Sequence, residues 1–242
     1  KSYNYINPEI VYEAREKINL MISESFRNSL LSLHNGIGVI SEEFDNKNTG
    51  LRLLKNRYLD LIVISENRID LAENTFQNST NMTEILNSLK LLIKTNKAEI
   101  ALSTFYDKWK SNPLIIDKWF SLQATFTPYN YIFQTIEKLR THPEFNFKNP
   151  NRFRSLIGSF AFSNYKAFHS IDGKGYEIAS NWIKKIDKIN PQIAARLSTS
   201  FEIMNIIEPK RNLLMKNFLK DIRYTKNLSK DTLDITDRIL NA

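Results

Sequence analysis

Six of the seven prolines in this chain stand where a helix would begin. Asparagine or threonine before a proline caps free backbone N–H groups, and proline suits the first helical position because it needs no donor there. The six pairs are Asn7-Pro8, Asn112-Pro113, Thr127-Pro128, Asn149-Pro150, Asn190-Pro191 and Glu208-Pro209. The seventh proline, Pro143, follows Arg140-Thr141-His142 and predicts a helix end. The sequence is therefore divided into successive helices.

Between these start signals the apolar residues recur at helical spacing, and no segment alternates as a strand would. The clearest stripe predicts one long first helix over residues 7–33, and later patterns predict helices over residues 150–162 and 191–205, among others. The stripe consists of Ile10, Ala14, Ile18, Ile22, Phe26, Leu30 and Leu33. About a dozen helices with short connections favour antiparallel neighbours. We therefore predict an all-α fold, a right-handed-type superhelix or α-solenoid of antiparallel helix pairs of the HEAT or armadillo kind, with residues 1–242 as a single domain.

The bulk composition excludes several classes of protein. The chain has no cysteine, so it has no disulfide framework and no thiolate nucleophile. No apolar run is long enough for a membrane span, and the first residues lack the apolar core of a signal peptide. We therefore expect a cytoplasmic protein without a membrane partner. The chain does not begin with methionine, so we expect a segment of a longer protein.

The positive charge is concentrated in the second part of the chain. Residues 1–100 carry 12 basic and 13 acidic side chains, a net charge of −1, whereas residues 101–242 carry 22 and 13, a net charge of +9. Such a balance can serve nucleic acid, an anionic surface or an acidic protein face, but a scattered excess more often serves solubility alone. We expect no nucleic-acid partner.

No catalytic or metal-binding motif occurs. A zinc hydrolase needs two histidines one helical turn apart with a glutamate between them, whereas His34, His142 and His169 are isolated from one another. Phosphate-binding loops, dinucleotide fingerprints and serine nucleophile elbows are absent as well. We expect no catalytic residue, no metal site and no cofactor in this chain.

Two helix starts carry arginines in unfavourable places. Arg152 and Arg154 follow Asn149-Pro150 closely, where the positive end of the helix dipole disfavours a cation by ~0.3 to 1 kcal/mol. In the second start, Gln192 and Arg196 are four residues apart and share one helix face. Free N–H groups at the two helix ends, two arginines and one amide would suit a carboxylate or a peptide backbone. The alternative is that these arginines form structural salt bridges with local acids.

Several blocks of the sequence resemble one family. Residues 149–158 (Asn-Pro-Asn-Arg-Phe-Arg-Ser-Leu-Ile-Gly) and 190–197 (Asn-Pro-Gln-Ile-Ala-Ala-Arg-Leu) occur in the same order as residues 81–83 (Asn-Met-Thr) and 117–125 (Asp-Lys-Trp-Phe-Ser-Leu-Gln-Ala-Thr). Together they are similar to the C-terminal domain of bacterial aminopeptidase N, of the gluzincin zinc aminopeptidases. The similarity runs from about Pro8 to the end of the chain.

The resemblance implies a division of work within a larger enzyme that removes N-terminal amino acids from peptides. Zinc would be bound by a catalytic domain that precedes this segment, with the motifs His-Glu-x-x-His and Gly-x-Met-Glu-Asn, neither of which occurs here. The chain alone is thus expected to be inactive, and its partners to be the catalytic domain and a peptide substrate. In the family this helical domain closes the active-site chamber, and chamber-facing positions that bind substrate match Arg154, Gln192 and Arg196. The alternative function is a free-standing helical-repeat adaptor that binds a protein or peptide.

Overall fold

A computed structural model describes residues 5–43 and 45–242, and in these residues the regular secondary structure is helical, with one isolated β-bridge between Ile6 and Ile207. The first helices are α1 Pro8–Ser25, α2 Arg27–Ile37, α3 Asn46–Glu66, α4 Ile69–Asn78, α5 Met82–Lys94, α6 Glu99–Trp109, α7 Pro113–Phe126 and α8 Tyr129–Arg140. They are followed by α9 Pro150–Phe153, a π-helical turn Arg154–Gly158, α10 Ser159–Ser163, α11 Tyr165–Phe168, α12 Lys174–Asp187, α13 Pro191–Ser198, a 3₁₀ segment Thr199–Asn205, α14 Pro209–Arg223 and α15 Lys230–Asn241. The prediction of an all-α fold is confirmed.

The helix starts predicted from proline are confirmed. Helices begin at Pro8, Pro113, Pro150, Pro191 and Pro209, and α8 begins directly after Pro128. The preceding asparagines act as caps: the side-chain oxygens of Asn112, Asn149 and Asn190 accept hydrogen bonds from backbone N–H groups in the first turn. These boundaries are local, because a cap and a proline fix the first turn whatever the helix packs against.

The chain divides into two compact units. One unit contains residues 13–111, with α2 to α6 and most of α1, and its buried residues include Leu30, Leu61 and Ile62. The other unit contains residues 112–242 together with the described residues up to Tyr12. Its core includes a group of aromatic rings. The ring centres of Phe145 and Phe153 each lie 5.7 Å from the ring centre of Trp182.

The prediction of one long first helix is wrong. The helix breaks at Phe26, whose φ of −110° and ψ of 10° separate α1 from α2. The apolar stripe that suggested the helix is not its buried face either. Of its seven members only Leu30 is buried, whereas Ile10 is 62 % exposed and Ile18 is 56 % exposed. An apolar stripe of this kind ordinarily packs against the rest of the protein.

Two further helices are less regular than the spacing predicts. The helix expected over residues 150–162 contains a π-helical turn, in which the N–H of Ser159 bonds to the carbonyl of Arg154. The helix expected over residues 191–205 changes to a 3₁₀ segment after Ser198. There the hydroxyls of Ser198 and Thr199 donate to the carbonyls of Ala194 and Arg196, and such bonds compete with regular helical pairing.

Candidate functional site

A cleft of 280 Å³ lies between the π-helical turn and α13, within the unit that contains residues 112–242. All three residues predicted to bind substrate line it. The lining residues are Pro150, Phe153, Arg154, Gly158, Phe162, Asn190, Gln192, Ile193, Arg196 and Leu197. The structure therefore brings together two segments that the sequence linked only by the similar composition of their helix starts.

Arg154 is the first residue of the π-helical turn and is exposed. Its Nε donates to the carbonyl of Pro150 over 3.1 Å, and its Nη2 donates to the side-chain oxygen of Asn151 over 2.7 Å. Both acceptors are neutral, so they orient the guanidinium without cancelling its charge. Single π-helical turns inside α-helices occur frequently at functional sites.

Arg196 and Gln192 reach the cleft from one face of α13. Both side chains are exposed, and they share one face of the helix, as their spacing of four residues predicts. The guanidinium carbon of Arg196 lies 5.6 Å from the centre of the Phe162 ring, a distance at which a cation is attracted to an aromatic face. Phe162 thus supports Arg196, a role that sequence reasoning missed because the contact joins two separate helices.

The two cleft arginines differ from the other arginines of their unit. Residues 112–242 contain seven arginines, and five of them form ion pairs with a carboxylate. Among residues 5–43 and 45–242, no carboxylate pairs with Arg154 or Arg196. The five pairs are Arg140 with Glu137, Arg152 with Asp117, Arg211 with Glu208, Arg223 with Asp237, and Arg238 with Glu202. The salt-bridge alternative therefore does not describe the two arginines at the cleft.

Arg152 is the structural arginine of the first segment. It is only 4 % exposed, and its Nε lies 2.7 Å from the Oδ1 of Asp117. Its Nη1 donates to the carbonyl of Glu144 over 3.1 Å, and its guanidinium lies 5.0 Å from the ring centre of Phe120. The anion that offsets its position in a first helical turn is thus internal.

The helix ends contribute less to the cleft than the sequence suggested. Asn149 Oδ1 accepts from the N–H groups of Asn151 and Arg152, and Asn190 Oδ1 accepts from the N–H of Ile193. At α9 the cap occupies these donors, so the expectation of free N–H groups is wrong there. At α13 the cap occupies the N–H of Ile193, and among the described residues no group accepts from the N–H of Gln192. An anion in the cleft therefore has the two guanidinium groups, the Gln192 amide and one backbone N–H group of α13 as donors.

The charge in the cleft is positive and uncompensated. None of the described residues that line it is acidic, whereas two are arginines and one, Gln192, is an amide that can both donate and accept. The remaining lining is largely apolar, with Phe153, Phe162 and Ile193 among it. Such a site can bind a carboxylate by charge-assisted hydrogen bonds next to an apolar group.

His169 is buried in the core of the same unit, away from the cleft, and its pKa is lowered. His169 Nδ1 is 2.9 Å from the hydroxyl of Tyr176, and Arg211 Nε donates to the backbone carbonyl of His169. Burial, with a smaller effect of the Arg211 charge, lowers the pKa of His169 to about 4. Burial also raises the pKa of Tyr176. This cluster is part of the core and reaches no cleft described above.

Comparison with known proteins places the chain in a family. The family model described as "Domain of unknown function (DUF3458_C) ARM repeats" matches residues 1–241. The chain belongs to this family of armadillo-repeat domains. That match agrees with the predicted solenoid of helix pairs, and the family resemblance drawn from the sequence is confirmed as well.

The relatives include longer proteins. The chain is 33 % identical to aminopeptidase N of Haemophilus influenzae over 242 residues, which is 99 % of this chain and 28 % of that protein. It is 31 % identical to aminopeptidase N of Escherichia coli over 95 % of this chain and 27 % of that protein. In both cases the chain matches a C-terminal part and spans little more than a quarter of the relative.

A solved structure is similar throughout. The crystal structure of Legionella pneumophila aminopeptidase A in complex with aspartic acid superposes with a TM-score of 0.90 and 28 % identity, over 99 % of this chain and 29 % of that one. No helix in the described residues is long and apolar enough to cross a membrane. Within residues 5–43 and 45–242, no three histidine or carboxylate side chains are grouped as metal ligands would be.

Proposed function

We propose that this chain is the non-catalytic C-terminal helical domain of a zinc-dependent aminopeptidase N, which removes N-terminal amino acids from peptides. The similarity to two proteins named aminopeptidase N supports the parent activity. The domain closes the active-site chamber of the catalytic domain, its partner within the same enzyme, in the cytoplasm. Zinc, when bound by that catalytic domain, polarises the peptide carbonyl and activates water. Among residues 5–43 and 45–242, no histidine and carboxylate side chains are grouped as zinc ligands would be, and we assign the zinc chemistry to the catalytic domain.

The contribution of this chain is to bind the peptide's C-terminal portion. The observation that carries this proposal is the pair of arginines, Arg154 and Arg196, that share one cleft and have no carboxylate partner among the described residues. A peptide ends in a carboxylate, and a guanidinium can bind it through two parallel hydrogen bonds. Gln192, on the same face of α13 as Arg196, can donate to a peptide carbonyl or accept from a peptide N–H. Binding away from the scissile bond orients the substrate and leaves bond breaking to other residues.

The proposal is tested with two proteins and two kinds of substrate. The 242-residue chain, supplied with zinc, should release no amino acid from a chromogenic aminoacyl amide, whereas the longer polypeptide should. In the longer polypeptide, Arg196→Ala should reduce the turnover of peptides more than that of the aminoacyl amide, because only a peptide extends beyond the first residue. Robust turnover by the 242-residue chain alone would overturn the division of work. Equal losses on both substrates would overturn the assignment of Arg196.

An adaptor that binds peptides without a catalytic domain is the second candidate. A larger cleft of 820 Å³ favours it, and this cleft lies between α4, α5 and α6 in the unit of residues 13–111, with Phe76, Ile100 and Trp109 in its lining. Calorimetric titration of the 242-residue chain with a varied set of peptides decides between the two. Micromolar binding that survives Arg154→Ala and Arg196→Ala would favour the adaptor, and the absence of heat would remove its support.

A further inference from the structure

Gly158 is the last residue of the π-helical turn and directly precedes α10. Its φ of −62° and ψ of −47° are those of a regular right-handed helix, which any residue except proline adopts readily. Glycine destabilises a helix relative to alanine, because it loses more conformational freedom on folding. The backbone therefore gives no reason for glycine at this position.

Packing does not require glycine at residue 158 either. A Cβ added there would lie 3.6 Å from the Cβ and 3.8 Å from the Cγ of Arg154, which are ordinary van der Waals distances. Other glycines of the chain have a structural reason: Gly173 has a φ of +77°, and a Cβ on Gly175 would come within 2.1 Å of the backbone of Phe168. Residue 158 could thus be alanine without any movement of the backbone.

Gly158 forms part of the wall of the 280 Å³ cleft. Arg154 and Phe162, four positions before and after it, line the cleft on the same side. The guanidinium of Arg154 is directed to the preceding turn, where it donates to the carbonyl of Pro150 and the side chain of Asn151. Gly158 is therefore the floor of a notch, with one large side chain on each side of it.

We infer that Gly158 admits the main chain of the bound peptide to the cleft and is a specificity-determining residue. A position without a side chain allows a ligand to approach the backbone closely. Gln192 of α13 also lines the cleft, and its amide can pair with a peptide N–H or carbonyl. The main chain of an extended peptide then lies over Gly158, with its C-terminal carboxylate at Arg154 and Arg196. The inference rests on the proposed function, because it requires a peptide in this cleft.

A methyl group at residue 158 tests this inference, because it should stabilise the fold and obstruct the cleft. Gly158→Ala should raise the melting temperature of the 242-residue chain by about 1 to 4 °C through helix propensity. In the longer polypeptide it should lower kcat/KM for a tripeptide about tenfold more than for an aminoacyl amide, the effect of one methyl group in a pocket. The control is Gly50→Ala in α3, outside the cleft, which should raise the melting temperature and leave the turnover of both substrates unchanged. A lower melting temperature for Gly158→Ala, or kinetics that do not distinguish the two substrates, would overturn the inference.

A second background separates an obstructed notch from a displaced arginine. The added methyl group would contact Arg154, so Gly158→Ala is also introduced into the Arg154→Ala variant of the longer polypeptide. The loss of tripeptide turnover should recur in full there, because the methyl group still obstructs the notch. No further loss in the double variant would show that the methyl group acts through Arg154 alone, which would overturn the inference.

Failure of the proposed function gives a different result from failure of this inference. If no peptide binds in the cleft, Arg196→Ala and Gly158→Ala should both leave the ratio of tripeptide to aminoacyl amide turnover unchanged, and both proposals are overturned. If Arg196→Ala lowers that ratio and Gly158→Ala does not, only the role of Gly158 is overturned. Both variants should lower the ratio if the inference is correct.

Discussion

The guanidinium of Arg152 lies against the carboxylate of Asp117, with 2.7 Å between Nε and Oδ1. Arg154, only two residues further on, is exposed and contacts neutral acceptors alone. The same short segment therefore contains one arginine that stabilises the fold and one whose charge is available to a ligand. The first has an internal anion, and the second, on our proposal, receives its anion from a peptide.

Replacing Arg152 should destabilise the domain far more than replacing Arg154. Arg152→Ala leaves the half-buried carboxylate of Asp117 without its partner, and breaking a buried ion pair in this way costs about 3 kcal/mol or more. Arg154→Ala removes an exposed side chain and should change the free energy of unfolding by less than about 0.5 kcal/mol. Urea unfolding of both variants measures the difference. Similar losses of stability in the two variants would contradict the assignment of roles.

Gly175 should tolerate no side chain. It lies in the first turn of α12, where an added Cβ would come within 2.1 Å of the backbone carbonyl oxygen of Phe168. Gly175→Ala should therefore cost at least about 2 kcal/mol, since backbone must move to admit the methyl group. Gly50 is a matched control, because it lies in α3 with nothing within 4 Å of an added Cβ. Gly50→Ala should stabilise by about 0.5 to 1 kcal/mol through helix propensity, and thermal unfolding that ranks the two variants the other way would refute this account.

Stability should fall as the pH is lowered from about 6.5 to about 4, in part through His169. Its pKa is lowered to about 4 in the folded state, so the unfolded chain, with a pKa near 6.5, binds more protons in this window. The contribution of the neutral ring is fully present above about pH 6.5 and is lost as the pH falls to about 4, a change on the order of 3 kcal/mol. His169→Gln should flatten the dependence of the unfolding free energy on pH across this window. An equally steep dependence in the variant would show that other groups cause it.

The helix starts could be predicted from the sequence because they are local. Asn149 and Pro150 fix a first turn without reference to any other part of the chain. The face on which α1 packs could not be predicted. Apolar spacing indicates which face of a helix favours burial, but it does not identify the element that covers that face. The hydrogen bond from Arg57 to Asn19 joins the polar face of α1 to α3, and nothing in the local pattern of α1 reveals it.

The candidate site was partly predictable for the same reason. Arg154 and Arg196 stood out because each follows a helix start in which a cation is unfavourable, which is a local property. Phe162 and the π-helical turn were not predicted, because they depend on the packing of separate helices and on an irregular backbone. The caps that occupy the N–H groups were predicted, but their consequence for anion binding became clear only from the hydrogen bonds.

A negative charge at residue 192 should imitate the missing anion. In the longer polypeptide, Gln192→Glu places a carboxylate four residues before Arg196, a spacing at which the two side chains can pair. Peptide turnover should then fall more than in Gln192→Ala, which removes the amide without adding charge. Michaelis constants for a tripeptide measure the effect. A smaller loss in the glutamate variant than in the alanine variant would indicate that the charge of Arg196 is not used.

The most direct test of the account compares peptides with free and amidated C-termini in the longer polypeptide. For a series of two to four residues, Arg196→Ala and Arg154→Ala should each lower kcat/KM for the free peptides by about tenfold, the value of one hydrogen bond to a charged group. The same substitutions should have little effect on the C-terminal amides, which lack the carboxylate. Losses of equal size for the free and the amidated peptides would contradict the claim that this cleft binds the C-terminal carboxylate of the substrate.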